Sequence, residues 1–173
     1  MKEGRTLTEL AQELDRQMVN KKDLIAPASK LAVDLNPVQD NWEGGFDMVM
    51  NVEGFGDHAI TPHAHGQLAS FCDIPKIYHN RLLVEDPELL VKNVNRRLDH
   101  YGSKSRMVRI LDNSVRAMLS DRYRPLDNYD LMRAILPVLT ETPGLSVVSC
   151  EVTPSKLYVK AVTDKIKHTL GVG

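Results

Sequence analysis

MVRILDNSVRAMLSDRYRPLDNYDLMRAILPVL, residues 107–139, holds two β-rich runs, a tight reversal, a basic aromatic bend and an amphipathic helix. The reversal lies at Asp112, Asn113 and Ser114, whose short polar side chains bond their own backbone and tolerate left-handed conformations, as a hairpin turn requires. With Asn113 and Ser114 as the loop, Asp112 faces Val115, Ile110 faces Ala117, Arg109 faces Met118 and Val108 faces Leu119. Side chains alternate with period two, so Val108, Ile110, Val115, Ala117 and Leu119 share one apolar face. Met107, Arg109, Leu111, Arg116, Met118 and Ser120 share the other. That second face is too apolar to be simply solvated, so it is covered by another segment or meets a ligand. Its two arginines either lie along a packed sheet or contact phosphate.

The length of 173 residues is that of one domain with a core of its own, and residues 1–173 read as a single unit. A hydrophobic fraction of 42% and a charged fraction of 26% are those of an ordinary globular protein, not a disordered or fibrous one. There is no long apolar run and no basic-then-apolar amino terminus, which argues against a membrane span and a signal peptide. Two distant cysteines, Cys72 and Cys150, suggest no disulfide framework and read as free thiols of a cytoplasmic protein. The net charge of −1 argues against indiscriminate binding of polyanions. The charge is nevertheless uneven: Lys92 to Arg124 holds nine basic residues, among them Arg96, Arg97, Arg109, Arg116, Arg122 and Arg124, against three acids. Such asymmetry can make one positive face on a neutral protein.

Earlier in the chain, Thr6 and Glu9 have the spacing of a capping box, followed by Leu7, Leu10, Ala11, Leu14 and Met18 at helical intervals. Asp23 to Leu35, interrupted by Pro27, reads as edge strand. Phe46 to Val52 reads as a strand between loops marked by Gly44, Gly45, Gly54 and Gly56. Thr61-Pro62, Ile74-Pro75 and Asp86-Pro87 each signal a helix start, the third helix burying Leu89, Leu90, Val94 and Leu98. The first two of these helices partly match a DNA-reading helix-turn-helix, with Ala69 at the close-contact position. Asp73 stands where that turn ordinarily has Gly, and His79 where the second helix is ordinarily apolar, so plain helix packing is the preferred reading. His58, His63, His65 and His79 crowd the region without the i, i+4 spacing of a helical metal pair, and read as surface or capping residues rather than metal ligands. Downstream, a helix capped at Asp127 or Asn128 buries Leu131, Ile135 and Leu139 and should bend at Pro137. A second hairpin follows, looping at Pro154 and Ser155, with Val148, Cys150 and Val152 sharing a face with Leu157, Val159 and Ala161. The fold class is therefore α+β: an antiparallel sheet built from β-hairpins with helices on one face and helical segments toward the amino terminus.

LTELAQELDRQ, HAHGQLASFCDIPKIYHNRLL, PELLVKNVNRRL and above all VRAMLSDRYRPLDNYDLMRAILPVL resemble the phage/plasmid-like family known as domain of unknown function nine hundred and thirty-two. The resemblance runs through most of the chain in order. It implies a protein carried by phages, prophages or plasmids and working in a bacterial cytoplasm, and it brings no established activity or cofactor. Family members are longer, so the chain is read as a shortened relative or an N-terminal fragment.

No nucleophile elbow, phosphate loop or metal spacing organises the acids and histidines, so a hydrolytic enzyme is the weakest reading and no catalytic residue, metal ligand or cofactor is assigned. The leading expectation is binding of single-stranded nucleic acid on the sheet, in support of recombination or replication, through Arg109, Arg116, Arg122, Tyr123, Arg124, Arg96 and Arg97. Tyrosine interleaved with arginine in DRYRPLDNY suits base stacking beside phosphate contacts, although Tyr123 as core and arginines paired with Asp121, Asp127 or Asp130 remain an open reading. The alternative is a protein-interaction module directed at a host defence or host enzyme, or a self-associating surface on the hairpin.

Overall fold

A computed structural model describes residues 4–37, 46–153, 156–163 and 165. The elements are α1 (Leu7–Asn20), β1 (Lys22–Pro27), a 3-10 turn (Ala28–Lys30), β2 (Leu31–Pro37), β3 (Phe46–Val52), β4 (Gly56–Ile60), α2 (Pro62–Phe71), α3 (Lys76–Glu85), α4 (Pro87–His100), β5 (Ser105–Leu111), β6 (Ser114–Ser120), α5 (Asn128–Glu141), β7 (Leu145–Val152) and β8 (Leu157–Thr163). The protein is α+β. Where the sequence reads as one domain, the chain forms two compact units, residues 20–123 and residues 1–19 with 124–173. The bend after Ser120 is where one unit gives way to the other.

The larger unit is built on a six-stranded sheet in the order β1-β5-β6-β4-β3-β2. It is mixed rather than purely antiparallel, because β4 pairs with β6 in parallel. The first two strands are its two edges, consistent with the interrupting Pro27, yet only a three-residue turn joins them. A flat sheet would separate those edges by roughly 24 Å, whereas the four Cα steps from Pro27 to Leu31 reach at most about 15 Å. The sheet therefore curls until its edges approach. The joining turn is bonded on both sides, with Ala28 N donating to Lys104 O and Glu53 N donating to Lys30 O. One face buries Val33, Met50, Val52, Val108, Ile110, Val115 and Met118 against Leu68 of α2 and Leu90, Val94 and Leu98 of α4. The free edge of β2 is covered by a side chain: Asn95 of α4 accepts from Val33 N at 2.8 Å and donates to Val33 O at 2.9 Å. A carboxamide thus stands in for a neighbouring strand.

The hairpin β5–β6 forms where expected, one residue out of the expected register. Its loop is Asp112-Asn113, with φ of 49° and 62°, and Leu111 faces Ser114. Two consecutive left-handed residues make the turn whose twist suits flanking strands. A bulge follows, because Ile110 pairs with Val115 but Arg109 pairs with Ala117, leaving Arg116 as the extra residue. Beyond a bulge the faces exchange. Val108, Ile110 and Val115 are core as expected, whereas Met118 takes the place expected for Ala117 and Leu119. The other face also buries Met107 and Arg109.

The helix starts follow the caps. Thr6 and Glu9 bond each other's backbone N–H in a full capping box, Thr61 caps α2 through Ala64 N and Asp86 caps α4 through Leu89 N. In α4 the buried stripe is Leu90, Val94 and Leu98, and Leu89 is exposed. The strand β4 was not expected: its sequence, GDHAI, offers two turn-forming residues before any β-branched one.

The smaller unit sets α1 and α5 against β7–β8, with Leu10, Leu14, Met132 and Cys150 buried. Arg5 and Cys150 exchange both backbone hydrogen bonds beside β7. Ile135 and Leu139 of α5 pack on this core, partly buried, as expected, but Met132 takes the place of Leu131, which is exposed, and the helix runs on through Pro137. Register in β7–β8 is as expected from Val152–Leu157 to Ser149–Lys160, after which a bulge pairs Val147 with Ala161 and leaves Val148 exposed. The expected loop at Pro154 and Ser155 and the glycines at 44 and 45 lie outside the described residues.

Candidate nucleic-acid interface

Seven residues carry the sequence expectation, and the structure places them in four different settings. Arg109 is 6% exposed and bidentate to Asp23, at 2.8 and 2.9 Å, so its guanidinium is committed inside the sheet and corrects the expectation that it meets a ligand. Arg116 sits half-buried at the bulge of β6. Arg122, Tyr123 and Arg124 are exposed in the bend, where Tyr123 N donates to Ser120 O and Arg122 N donates to the Ser120 hydroxyl. Tyr123 is 43% exposed and is not core. Arg96 and Arg97 lie on α4, at an open groove.

That groove, about 480 Å³, is lined by Asp73, Tyr78, Asn93, Arg96, Arg97 and His100, together with the backbone entering α3. Arg97 is its fixed wall: it donates to Cys72 O at 2.7 Å, to Asp73 at 2.7 Å and to the Tyr101 hydroxyl at 3.0 Å. Tyr101 also donates to Asp73. This bond, with the Arg97 guanidinium beside it, holds the Asp73 carboxyl below its ordinary range, and the same bond raises the Tyr101 phenol. Cations gather on aromatic faces here, Lys104 Nζ lying 3.9 Å from the Tyr101 ring centre and the Arg106 guanidinium 4.2 Å from that of Phe71. The interleaving of basic and aromatic residues expected at the bend is thus also built at the ends of α2 and α4. It escaped sequence reading because Phe71, Tyr101 and Arg106 are adjacent only after three elements pack.

Arg96 and His100 are exposed one helical turn apart on α4, and Tyr78 is 45% exposed across the groove. Pro75 gives α3 no side-chain cap. The start of α3, at Pro75 and Tyr78, borders the groove and brings the positive end of the helix dipole near it.

His63 is exposed as expected, but the other three histidines of the region are deeper. His58 pairs across the sheet with Met50 and is buried, its Nδ1 2.8 Å from Asn113 Oδ1. His65 and His79 meet edge to face with centres 5.3 Å apart, and His79 is fully buried. Burial, then the neighbouring His79, pushes His65 down to about 4, and burial lowers His79 as well, so both are neutral near pH 7. Burial raises the Cys72 thiol to about 12, which keeps it protonated and unreactive. Both cysteines are free thiols. Among the described residues, no three metal-ligating side chains gather and no helix is long and apolar enough to cross a membrane.

Comparison with protein-family models, with curated proteins and with solved structures finds no match to this chain.

Proposed function

We propose that this chain binds nucleic acid through the helical side of residues 20–123, at the groove between the α2–α3 turn and α4. The observation that carries the proposal is the groove itself, where Arg96, His100, Tyr78 and the uncapped start of α3 line one open cavity. The Arg96 guanidinium and the start of a helix suit phosphate oxygens, and an exposed tyrosine suits a base. The sheet expected to carry a single strand supports this less well. Its described strands contain one aromatic residue of the Phe, Tyr and Trp type, Phe46, and Arg109 is buried within it. A role in phage or plasmid recombination or replication belongs to the same proposal and derives from the family resemblance.

Fluorescence anisotropy with a labelled oligonucleotide at two salt concentrations tests it. Binding should weaken as salt rises, and Arg96→Ala with His100→Ala should reduce both the affinity and the salt slope, by about 0.7–0.9 per lost phosphate contact. Absence of binding at low salt would refute the proposal. Loss of binding on Arg122→Ala with Arg124→Ala, and none on changing Arg96, would move the contact to the bend.

A further inference from the structure

We infer that α2, its four-residue turn and α3 form a helix-turn-helix that reads duplex DNA, with α3 entering the major groove. The inference rests on the proposed nucleic-acid function and names its substrate as double-stranded DNA. It begins with the turn. Two ten-residue helices are joined by Cys72–Pro75, within the short connection this motif uses. Asp73 has a φ of 54°, the left-handed conformation ordinarily given to Gly there. Asp is among the few side chains that accept it, and Arg97 and Tyr101 hold the carboxylate in place. Ile74 N closes the turn on Ala69 O at 2.9 Å.

The buried set of the pair is Ala64, Leu68, Ala69, Phe71, Cys72, His79 and Leu82, with Ala69 wholly enclosed. His79 is the residue that looks wrong in sequence. It is fully buried, and burial lowers its pKa, so it fills the apolar position as a neutral ring. Asp73 is thus accommodated by its backbone and its partners, and His79 is enclosed as a neutral ring whose two nitrogens have no hydrogen-bond partner among the described residues.

The outer face of α3 supplies the second line of support. Of its ten residues only His79 and Leu82 are buried. Lys76, Ile77, Asn80, Arg81 and Val84 are exposed within an arc of roughly 140° on the opposite side. Ile77 is 86% and Val84 83% exposed. The chemistry of this face matches base edges in the major groove: a carboxamide pairs with adenine and an aliphatic side chain meets the thymine methyl. Charge selects DNA over a second copy of the chain or another protein. Lys76 and Arg96 are exposed at the start of α3, where Arg97 is paired with Asp73, whereas Arg81 pairs with Glu85 in its second half and Asp86 and Glu88 follow. A recognition helix meets DNA with its amino-terminal residues, so the positive end is the one presented to phosphate.

The test uses the full chain with two labelled probes, a random-sequence duplex of about 30 base pairs, roughly three helical turns, and one of its strands alone. Duplex should bind more tightly than the single strand, and repeated selection from the pool should enrich a common sequence. Ile77→Ala and Asn80→Ala, both at exposed positions, should then lower affinity for the enriched duplex by roughly 5- to 100-fold without changing affinity for the starting pool. Equal or tighter binding of the single strand overturns the inference, as does failure to enrich any sequence. So does an unchanged affinity of the α3 variants for duplex while Arg96→Ala weakens it, an outcome that leaves the groove as a nucleic-acid site without a reading helix. If neither probe binds, the broader proposal falls with this one. A change in oligomeric state on replacing Ile77 or Val84 would assign the face to a protein partner and also overturn it.

Discussion

The hairpin β5–β6 has neighbours on both edges and buried side chains on both faces, Val108, Ile110, Val115 and Met118 on one and Met107 and Arg109 on the other. The hairpin β7–β8 has a two-stranded sheet to itself, fully buries Cys150 alone, and leaves Val148, Tyr158 and Val162 about half exposed. Both are interrupted by a bulge that exchanges their faces, close to the turn in β5–β6 and near the open end in β7–β8. The difference is one of surroundings. A second face of Met, Arg and Leu marks a ribbon enclosed on two sides, whereas alternation with Ser, Glu and Lys marks one enclosed on a single side. The arginine in the enclosed ribbon is explained by its carboxylate and not by a ligand.

Ile110→Ala removes most of a side chain from the enclosed ribbon and should cost about 4 kcal/mol, read by urea unfolding or native-state hydrogen exchange. Val159→Ala, half-buried in β8, should cost about 1 kcal/mol by the same measurement. Equal costs would erase the distinction between the hairpins. Asp23→Ala, which strips the bidentate carboxylate from buried Arg109, should destabilise residues 20–123 by about 3 kcal/mol, while Lys160→Ala on the solvent side of β8 should change stability by less than about 0.5 kcal/mol. The two units also differ in their response to pH. His65 has a folded pKa of about 4 against 6.5 when unfolded, so the unfolded chain takes up the proton first and stability falls as pH drops from about 6.5 to about 4. Glu13 of α1 is held near 2 by Arg16 and Gln17, so the stability it lends is lost only as pH falls from about 4.5 toward 2. Hydrogen exchange at pH 5 should therefore loosen the larger unit before the smaller, and His65→Leu should reduce the difference, the buried His79 retaining part of it.

How much of this was legible follows the range of the interactions. Helix starts depend on residues three apart, and Thr6 with Glu9, Thr61 and Asp86 announced theirs. Hairpins depend on one turn, and Asp112, Asn113 and Ser114 announced the reversal though not its register, but a bulge has no local signature, so Ala117, Leu119 and Val148 were assigned to the wrong side. The parallel pairing of β4 with β6 joins residues far apart in the chain, and GDHAI alone does not suggest a strand. At the interface, Arg96 and Arg97 stood out by charge. Tyr78, Asn93 and His100 did not, because only the packing of α3 on α4 brings them to one groove, and Asp73 and His79 looked disqualifying until their backbone and burial were seen.

The three-residue join between the two edge strands also governs the order in which the chain becomes a protein. As the polypeptide leaves the ribosome, Lys22–Pro27 emerges early, but Leu24 has no partner until Val108 arrives. Leu10 and Leu14 wait longer still, for Met132 and Cys150. Strand pairing across such separations is slow, and an unpaired strand is an invitation to other chains. Lys22, Asp23 and Pro27 in the waiting strand are the residues that make it a poor template. The proline that interrupts β1 thus serves the nascent chain as well as the finished one.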